Sequence, residues 1–422
     1  MNRSFLSLPR RRFLLLSAGA CLSTLATNCT ARSNSPAADG FDPRSASWEE
    51  IVNRAKGTTV NWAMWGGSNN TNKYADEWVG DRLRQEYEVT LNRIPLNDTV
   101  EAVNKVVGEV QAGLNSGNGS IDLIWINGEN FRTMKQGNLL YGPFLDQLPS
   151  WQYYDQNNAA VKSDFGLAID GYESPYTGSY YVMAMDAAKV QQAPTNYQEL
   201  LDWAAANPGR FAYVAPPAFD GSRFLLSTLY ATTGGYEQYA GGEFNESLFK
   251  QNWPKALQFL TDLEPHLWRG GETYPPTQTR LAELFANGEI WMMPVFISQV
   301  AEGLATKRFP ATTKAFTMPG ASLNDPSFTA IPINAPNPAG AMVLANILAS
   351  PEGQLQKFNP SVWGDPPLLD VSKLSPELQQ QFGAIEAQYG IPLRELTANT
   401  VPVVNAEYTT RLEEAWQQQV AS

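Results

Sequence analysis

Histidine occurs once in this chain of 422 residues, at position 266, and cysteine twice, at positions 21 and 29. One histidine removes His-rich zinc or haem ligation and most Ser-His-Asp chemistry, and His266, between Pro265 and Leu267, reads as a packed or capping residue. With both cysteines in the first thirty residues, a processed body keeps at most one thiol, which excludes an internal disulfide, thiol catalysis and a cysteine metal site. Basic charge is also scarce: 30 Lys and Arg face 42 Asp and Glu, and four of the arginines (Arg3, Arg10, Arg11, Arg12) precede Cys29, where no acid falls. The net charge of −12 argues against nucleic acid or anionic lipid as the main partner, because a phosphate-binding surface needs a positive field. No apolar run reaches the ~20 residues of a membrane span. What is present, 43% hydrophobic residues over this length, suffices for a large core and more than one domain.

Residues 1–31 read as an address. Pro9-Arg10-Arg11-Arg12 precedes the apolar run Phe13 to Ala20, and the Arg-Arg-x-Phe-Leu order resembles a twin-arginine export signal. Two outcomes stay open: cleavage near Ala31, or lipidation of Cys29. Residue 28 is Asn, where lipoprotein signals usually carry a small residue. The Ser/Asn/Pro/Ala-rich stretch that follows has a tether's composition.

After the tether, apolar strand-like runs alternate with amphipathic helical stretches, the pattern of a sheet covered by helices. Thr58 to Trp65 predicts a strand ending in Gly66-Gly67-Ser68-Asn69-Asn70, followed by a helix through Tyr74, Trp78, Leu83 and Tyr87. Val89 to Ile94, a helix over roughly 98–114 and the run Ile121 to Ile126 complete a βαβαβ order. Such units bind ligands at the carboxyl ends of their strands, where Gly66 to Asn70 and Asn127 to Asn130 fall. A second block repeats the order in kind: a helix after Thr195, a strand over Phe211 to Ala215, a turn at Asp220 to Arg223, a helix over 279–287 and a strand over Ile290 to Phe296.

Several stretches resemble the periplasmic solute-binding proteins of ABC importers, and more narrowly the YnjB-type branch. They are Ile121 to Phe131 with Met134-Lys135-Gln136, Asn207-Pro208-Gly209-Arg210-Phe211 with Pro216-Pro217, Phe285 to Ile290, and Ile331 to Pro336 leading into Ala341 to Ser350 and Pro351-Glu352. The resemblance implies an α/β, type II-like two-lobe fold, each lobe a mostly parallel sheet flanked by helices, with a cleft between them. The corresponding division is an export signal at 1–31, a tether and leading segment at 32–57, a first lobe at 58–183 plus 312–350, and a second at 184–311 plus 351–422 with a helical tail. It further implies a non-enzymatic monomer without cofactor or metal, working with a permease and its ATPase subunit.

Candidate ligand-binding residues follow from the strand ends and the implied cleft. Trp65, Gly66, Gly67, Ser68, Asn69 and Asn70 let backbone N–H groups approach a ligand, though the same residues make an ordinary capped turn. Asn127, Glu129 and Asn130 end a buried strand, and Glu129 offers a carboxylate to an ammonium or hydroxyl, or else simply favours the first turn of a helix. Asp220, Ser222 and Arg223 would face the first lobe, with a helix cap as the plain alternative. Phe296 and Ser298 end a later strand, and Tyr176 and Tyr181 lie at the implied crossing, where packing is the usual role of buried tyrosine. Aromatic walls with a carboxylate suit an organic cation such as an amine or thiamine-like compound. An exported hydrolase using paired carboxylates such as Glu129, Asp220 and Glu173, an anion- or metal-binding importer component, and a sensor subunit are the competing readings.

Overall fold

Thr59–Trp65 alternates β-branched, aromatic and small residues, is buried through its middle, and forms the first strand, β1. The computed structural model describes residues 41–240 and 242–420; the twin-arginine segment and Cys29 lie outside the described residues. β1 pairs in parallel with β2 (Thr90–Leu96) and β3 (Leu123–Ile126). The fully buried β12 (Ser327–Pro332) lies antiparallel beside β3, β4 (Leu140–Tyr141) and β7 (Glu173–Thr177). In the second sheet β8 (Tyr180–Asp186) runs antiparallel to β9 (Met292–Phe296), β10 (Thr313–Phe316) and β11 (Leu323–Asn324), and β11 pairs in parallel with β13 (Val401–Pro402). A short hairpin joins β5 (Ser163–Asp164) to β6 (Leu167–Ala168).

Mostly parallel pairing, expected for both lobes, is limited to β1 to β3 and the short β11–β13 pair. The reason is the crossing: β7 runs into β8 from the first sheet to the second, β11 runs back into β12, and opposite directions of travel make the paired crossing strands antiparallel. The chain changes sheet at 177–180, at 324–327 and near residue 400. The expected boundaries at 183, 312 and 351 fall elsewhere, since all of β8 and β10 pair in the second sheet. The tail divides too. Helices Pro351–Phe358, Pro376–Gln388 and Leu393–Ala398 place Phe358, Phe382 and Leu396 in the apolar cluster of the first sheet, whereas Ala406–Gln419 packs on Phe219–Thr233.

Period-two alternation along β8 divides its side chains between two cores. Val182 and Ala184 join the cluster that runs from the first sheet to helices Gln278–Ala286 and Ile297–Ala305; Tyr181, Met183 and Met185 join the one beneath Tyr197–Ala206, Phe219–Thr233 and Glu246–Leu263. Two local readings change. Phe211 to Ala215 makes only isolated bridges from Phe211 to Leu267 and Met292, because Ala215 gives its N–H to the Pro275 carbonyl and the next two residues, both proline, have none to give. The helix expected through Tyr74 is broken into Asn69–Lys73, a π-turn at Tyr74–Val79 and Gly80–Tyr87, with Tyr74 and Trp78 stacked at 5.5 Å. Among the described residues no helix is long and apolar enough to cross a membrane.

Candidate functional site

The strand ends of both sheets feed helices that start at the interlobe cleft, and the residues at those starts touch across it. After β1, the Gly66 N–H bonds the Leu96 carbonyl, and a Cβ at Gly66 would stand 2.9 Å from the Pro95 side chain, so the close approach of backbone to β2 requires glycine. The exposed Gly67 offers its carbonyl to the Thr279 hydroxyl of the second lobe at 3.3 Å. Ser68 caps the helix Asn69–Lys73 and donates to Glu302 at 3.3 Å, again across the cleft. Asn69 is exposed, while the Asn70 amide nitrogen is buried without a partner. Trp65 stands edge-on to Trp125 at 6.5 Å, and both rings are partly open.

The second strand end, after β3, carries more charge. Asn127 donates to Asp325 at 3.4 Å, and the Gly128 N–H, the first of helix Gly128–Gln136, is taken by Asp164 at 2.7 Å. Glu129 follows with Oε2 shut off from water and unpartnered, whereas Asn130 packs inside the lobe. From the opposite lobe, helix Phe219–Thr233 presents Asp220 and Arg223 one turn apart on one face. The Tyr181 hydroxyl donates to the Asp220 carbonyl at 2.8 Å, which leaves the Asp220 carboxylate free, its Oδ1 buried and unpartnered. Ser222 donates to Glu413 at 2.5 Å. Phe296 packs against Phe219 (6.0 Å) and Tyr181 (5.1 Å). Ser298 is buried on the next helix. Tyr176 is a packing residue, fully buried against Trp62, Trp125 and Trp363.

Arg223 is the centre of this arrangement. It is 0% exposed, its guanidinium contacts the rings of Phe165 (4.4 Å) and Phe219 (4.0 Å), and its Nε donates to Asp325 at 2.6 Å. Asp325 sits in the return crossing, where its own N–H bonds the Ser179 carbonyl of the outward crossing at 2.8 Å. Asp325 therefore ties the two hinge strands together through its N–H, and β3 and the second lobe through its carboxylate, by way of Asn127 and Arg223. Glu129, Asp164, Asp220, Asp325 and Glu413 all lie in the field of this single arginine. Burial outweighs its attraction: the Asp220 and Glu413 carboxyls are each pushed up to about 7, and Glu129 is raised as well. Asp164 is driven well above the ordinary range by burial, as is Glu173, whose next cause is the Asp164 charge beside it. Glu173, the first residue of β7, thus forms a buried acid pair with Asp164 of β5. Among the described residues no three acids come together as metal ligands.

Sequence reasoning found Glu129, Asp220 and Arg223 and missed Asp325, Phe165, Glu413, Glu302, Thr279 and Trp125. Asp325 had a signal, an Asp-Pro step inside the predicted return crossing; Glu413 had none beyond its place on an amphipathic helix.

The architecture, two lobes joined by crossing strands, is shared with known proteins. The family model for bacterial extracellular solute-binding proteins matches residues 78–384. The chain belongs to that family. It is 36% identical to Protein YnjB of Escherichia coli (strain K12) over 331 residues, 78% of this chain and 84% of the relative. Among solved structures it resembles the periplasmic binding protein AfuA of Actinobacillus pleuropneumoniae, solved with fructose-6-phosphate (TM-score 0.61, 14% identity, 86% of this chain, 99% of the other). It also resembles the spermidine/putrescine transporter's substrate-binding protein PotD of Streptococcus pneumoniae (0.60, 14%, 86% and 98%) and the Atu4243 GABA receptor (0.60, 14%, 86% and 98%). The family consists of binders, and the fold is theirs.

Proposed function

We propose that this chain is the solute-binding component of an ABC import system, closing its lobes on a small organic cation and delivering it to a membrane permease with its ATPase subunit. The observation that carries the ligand class is the pair Glu129 and Asp220, one from each lobe, each with one buried carboxylate oxygen, Oε2 and Oδ1, that has no donor among the described residues. A carboxylate cut off from water without a partner is costly, and an ammonium brought between the lobes would satisfy both while holding the lobes shut. The structural relatives support a small ligand but span a sugar phosphate, polyamines and GABA by name, and so do not select among chemistries. An anionic ligand is favoured by the helix starts at Asn69, Gly128 and Phe219, yet the latter two already carry acids in their first turns. Export by the twin-arginine segment, with Cys29 lipidated or the signal removed near Ala31, fits this role and rests on residues 1–31 alone.

The test is a thermal-shift screen of protein purified without refolding, with putrescine, spermidine and thiamine against citrate and fructose-6-phosphate. A ligand at a hundredfold excess over its dissociation constant adds ~2.7 kcal/mol of apparent stability. Amine-bearing compounds alone are expected to raise Tm, with recovery of unaltered ligand. A rise confined to the anions would overturn the cation reading.

A further inference from the structure

The unpaired groups at the cleft are of two signs, and a simple amine satisfies only one of them. Glu129 Oε2 and Asp220 Oδ1 lack donors; Nη1 and Nη2 of Arg223 lack acceptors, and all four atoms are buried. The arginine is held in one pose. The Phe165 and Phe219 rings lie within 4.4 and 4.0 Å of its guanidinium, Nε is committed to Asp325, and that is its only ion pair among the described residues. With Nε committed, the two Nη groups remain as the fork that matches a carboxylate. The Arg223 charge reaches Glu129 and Asp220 strongly enough to oppose the effect of burial on each, yet neither makes an ion pair with it. Neighbouring opposite charges that stay unpaired inside a protein are each left without the hydrogen bonds that would offset burial.

We infer that the cleft takes a zwitterion: an ammonium-bearing carboxylic acid whose ammonium lies between Glu129 and Asp220 and whose carboxylate docks on the Nη edge of Arg223. The inference rests on the cation reading above and narrows it. A plain amine leaves the fork of Arg223 unmatched, and a plain acid leaves both carboxylates bare beside a second negative charge. A ligand carrying both groups answers all four atoms at once. The hinge is then engaged as well, because the same guanidinium holds Asp325 between the crossing strands.

Isothermal titration calorimetry of the full processed chain at pH 7.5 tests this with matched probes: β-alanine, 4-aminobutyrate, 5-aminovalerate, ornithine and lysine, each beside the amine lacking its carboxylate and the acid lacking its amines. At least one zwitterion is expected to bind a hundredfold more tightly than both of its truncated partners. In Arg223→Gln that zwitterion should fall to within threefold of its amine. If an amine matches its zwitterion in the unaltered chain, the inference fails and the cation reading stands. If an acid matches its zwitterion, both fail. If no probe binds while a non-carboxylate amine does, the inference is likewise overturned, and silence across every amine and amino acid overturns both. Should Arg223→Gln not fold, the probe pairs on the unaltered chain decide the matter by themselves.

Discussion

Two buried basic residues organise this molecule, and their surroundings differ in a way that separates support from recognition. Lys357, beneath the first crossing, faces a single carboxylate: its Nζ lies 3.9 Å from Asp365 Oδ2, an ion pair without a hydrogen bond, donates to the Tyr176 carbonyl and rests on the Tyr176 ring at 4.4 Å. Burial pulls the ammonium down to about 7 and pushes Asp365 up to about 7, so each depends on the other. Gln354 shares the Tyr176 carbonyl at 2.8 Å, and Gly178 bonds Pro366 at 3.2 Å, so this pair fastens the tail to the outward crossing. Arg223 has one committed partner, five carboxyls in its field and two nitrogens without acceptors. A balanced buried pair holds a structure together. The unbalanced set carries an uncompensated cost, which under the proposed function a ligand would relieve.

Removing the balanced partner is the strongest way to break the comparison. Lys357→Met leaves Asp365 alone in the core and is expected to lower stability by about 3–5 kcal/mol, with Lys357→Met/Asp365→Leu recovering most of it. Denaturant unfolding checks this, and a neutral single variant would make the two sets equivalent. Glu129→Gln should act the other way round. Ligand affinity falls by about 10–100-fold, from a lost charged hydrogen bond of roughly 1.5–3 kcal/mol, while the ligand-free Tm stays level or rises. Calorimetry beside a melting curve reads both, and a parallel loss of the two would make Glu129 structural.

The smallest effect is in pH. Asp220 and Glu413 ionise near 7 and Asp122 near 6 in the folded chain, against 3.8 for Asp and 4.5 for Glu when unperturbed. The folded state holds these protons longer than the unfolded one, so ligand-free stability is greatest below about 4 for these groups and falls as pH rises to about 7. Lys357 adds nothing below that, being protonated in both states. Melting curves at pH 5 and pH 7.5 should show a drop of a few degrees, moderated because Asp220 and Glu413 are only half-buried. A bound cation should cancel the drop; a drop that persists with ligand would place the acids outside the site.

Much of the first lobe was legible. The runs Thr58 to Trp65 and Ile121 to Ile126 carry enough apolar and β-branched character to fix strands buried on both faces, and their ends point to Ser68 and Glu129 without tertiary information. The second lobe was less so. Phe211 to Ala215 has the composition of a strand, but strands exist through partners, and the two prolines after it end the ladder. The tail reads as helix throughout, and helical periodicity says which face is apolar without saying which sheet it covers.

The amino-acid order alone determined the element types, the acidic balance, the absence of thiol and histidine chemistry from the body, and the residues that end the buried strands. Those properties are local or compositional, and short-range physics settles them. Only the tertiary structure decided that Asp325 lies at the hinge, that Phe165 contacts Arg223, and that Glu413 joins them from the last helix, since these three residues stand roughly sixty to two hundred positions from Arg223. Burial decided their charge states too, and burial is a property of the packed whole.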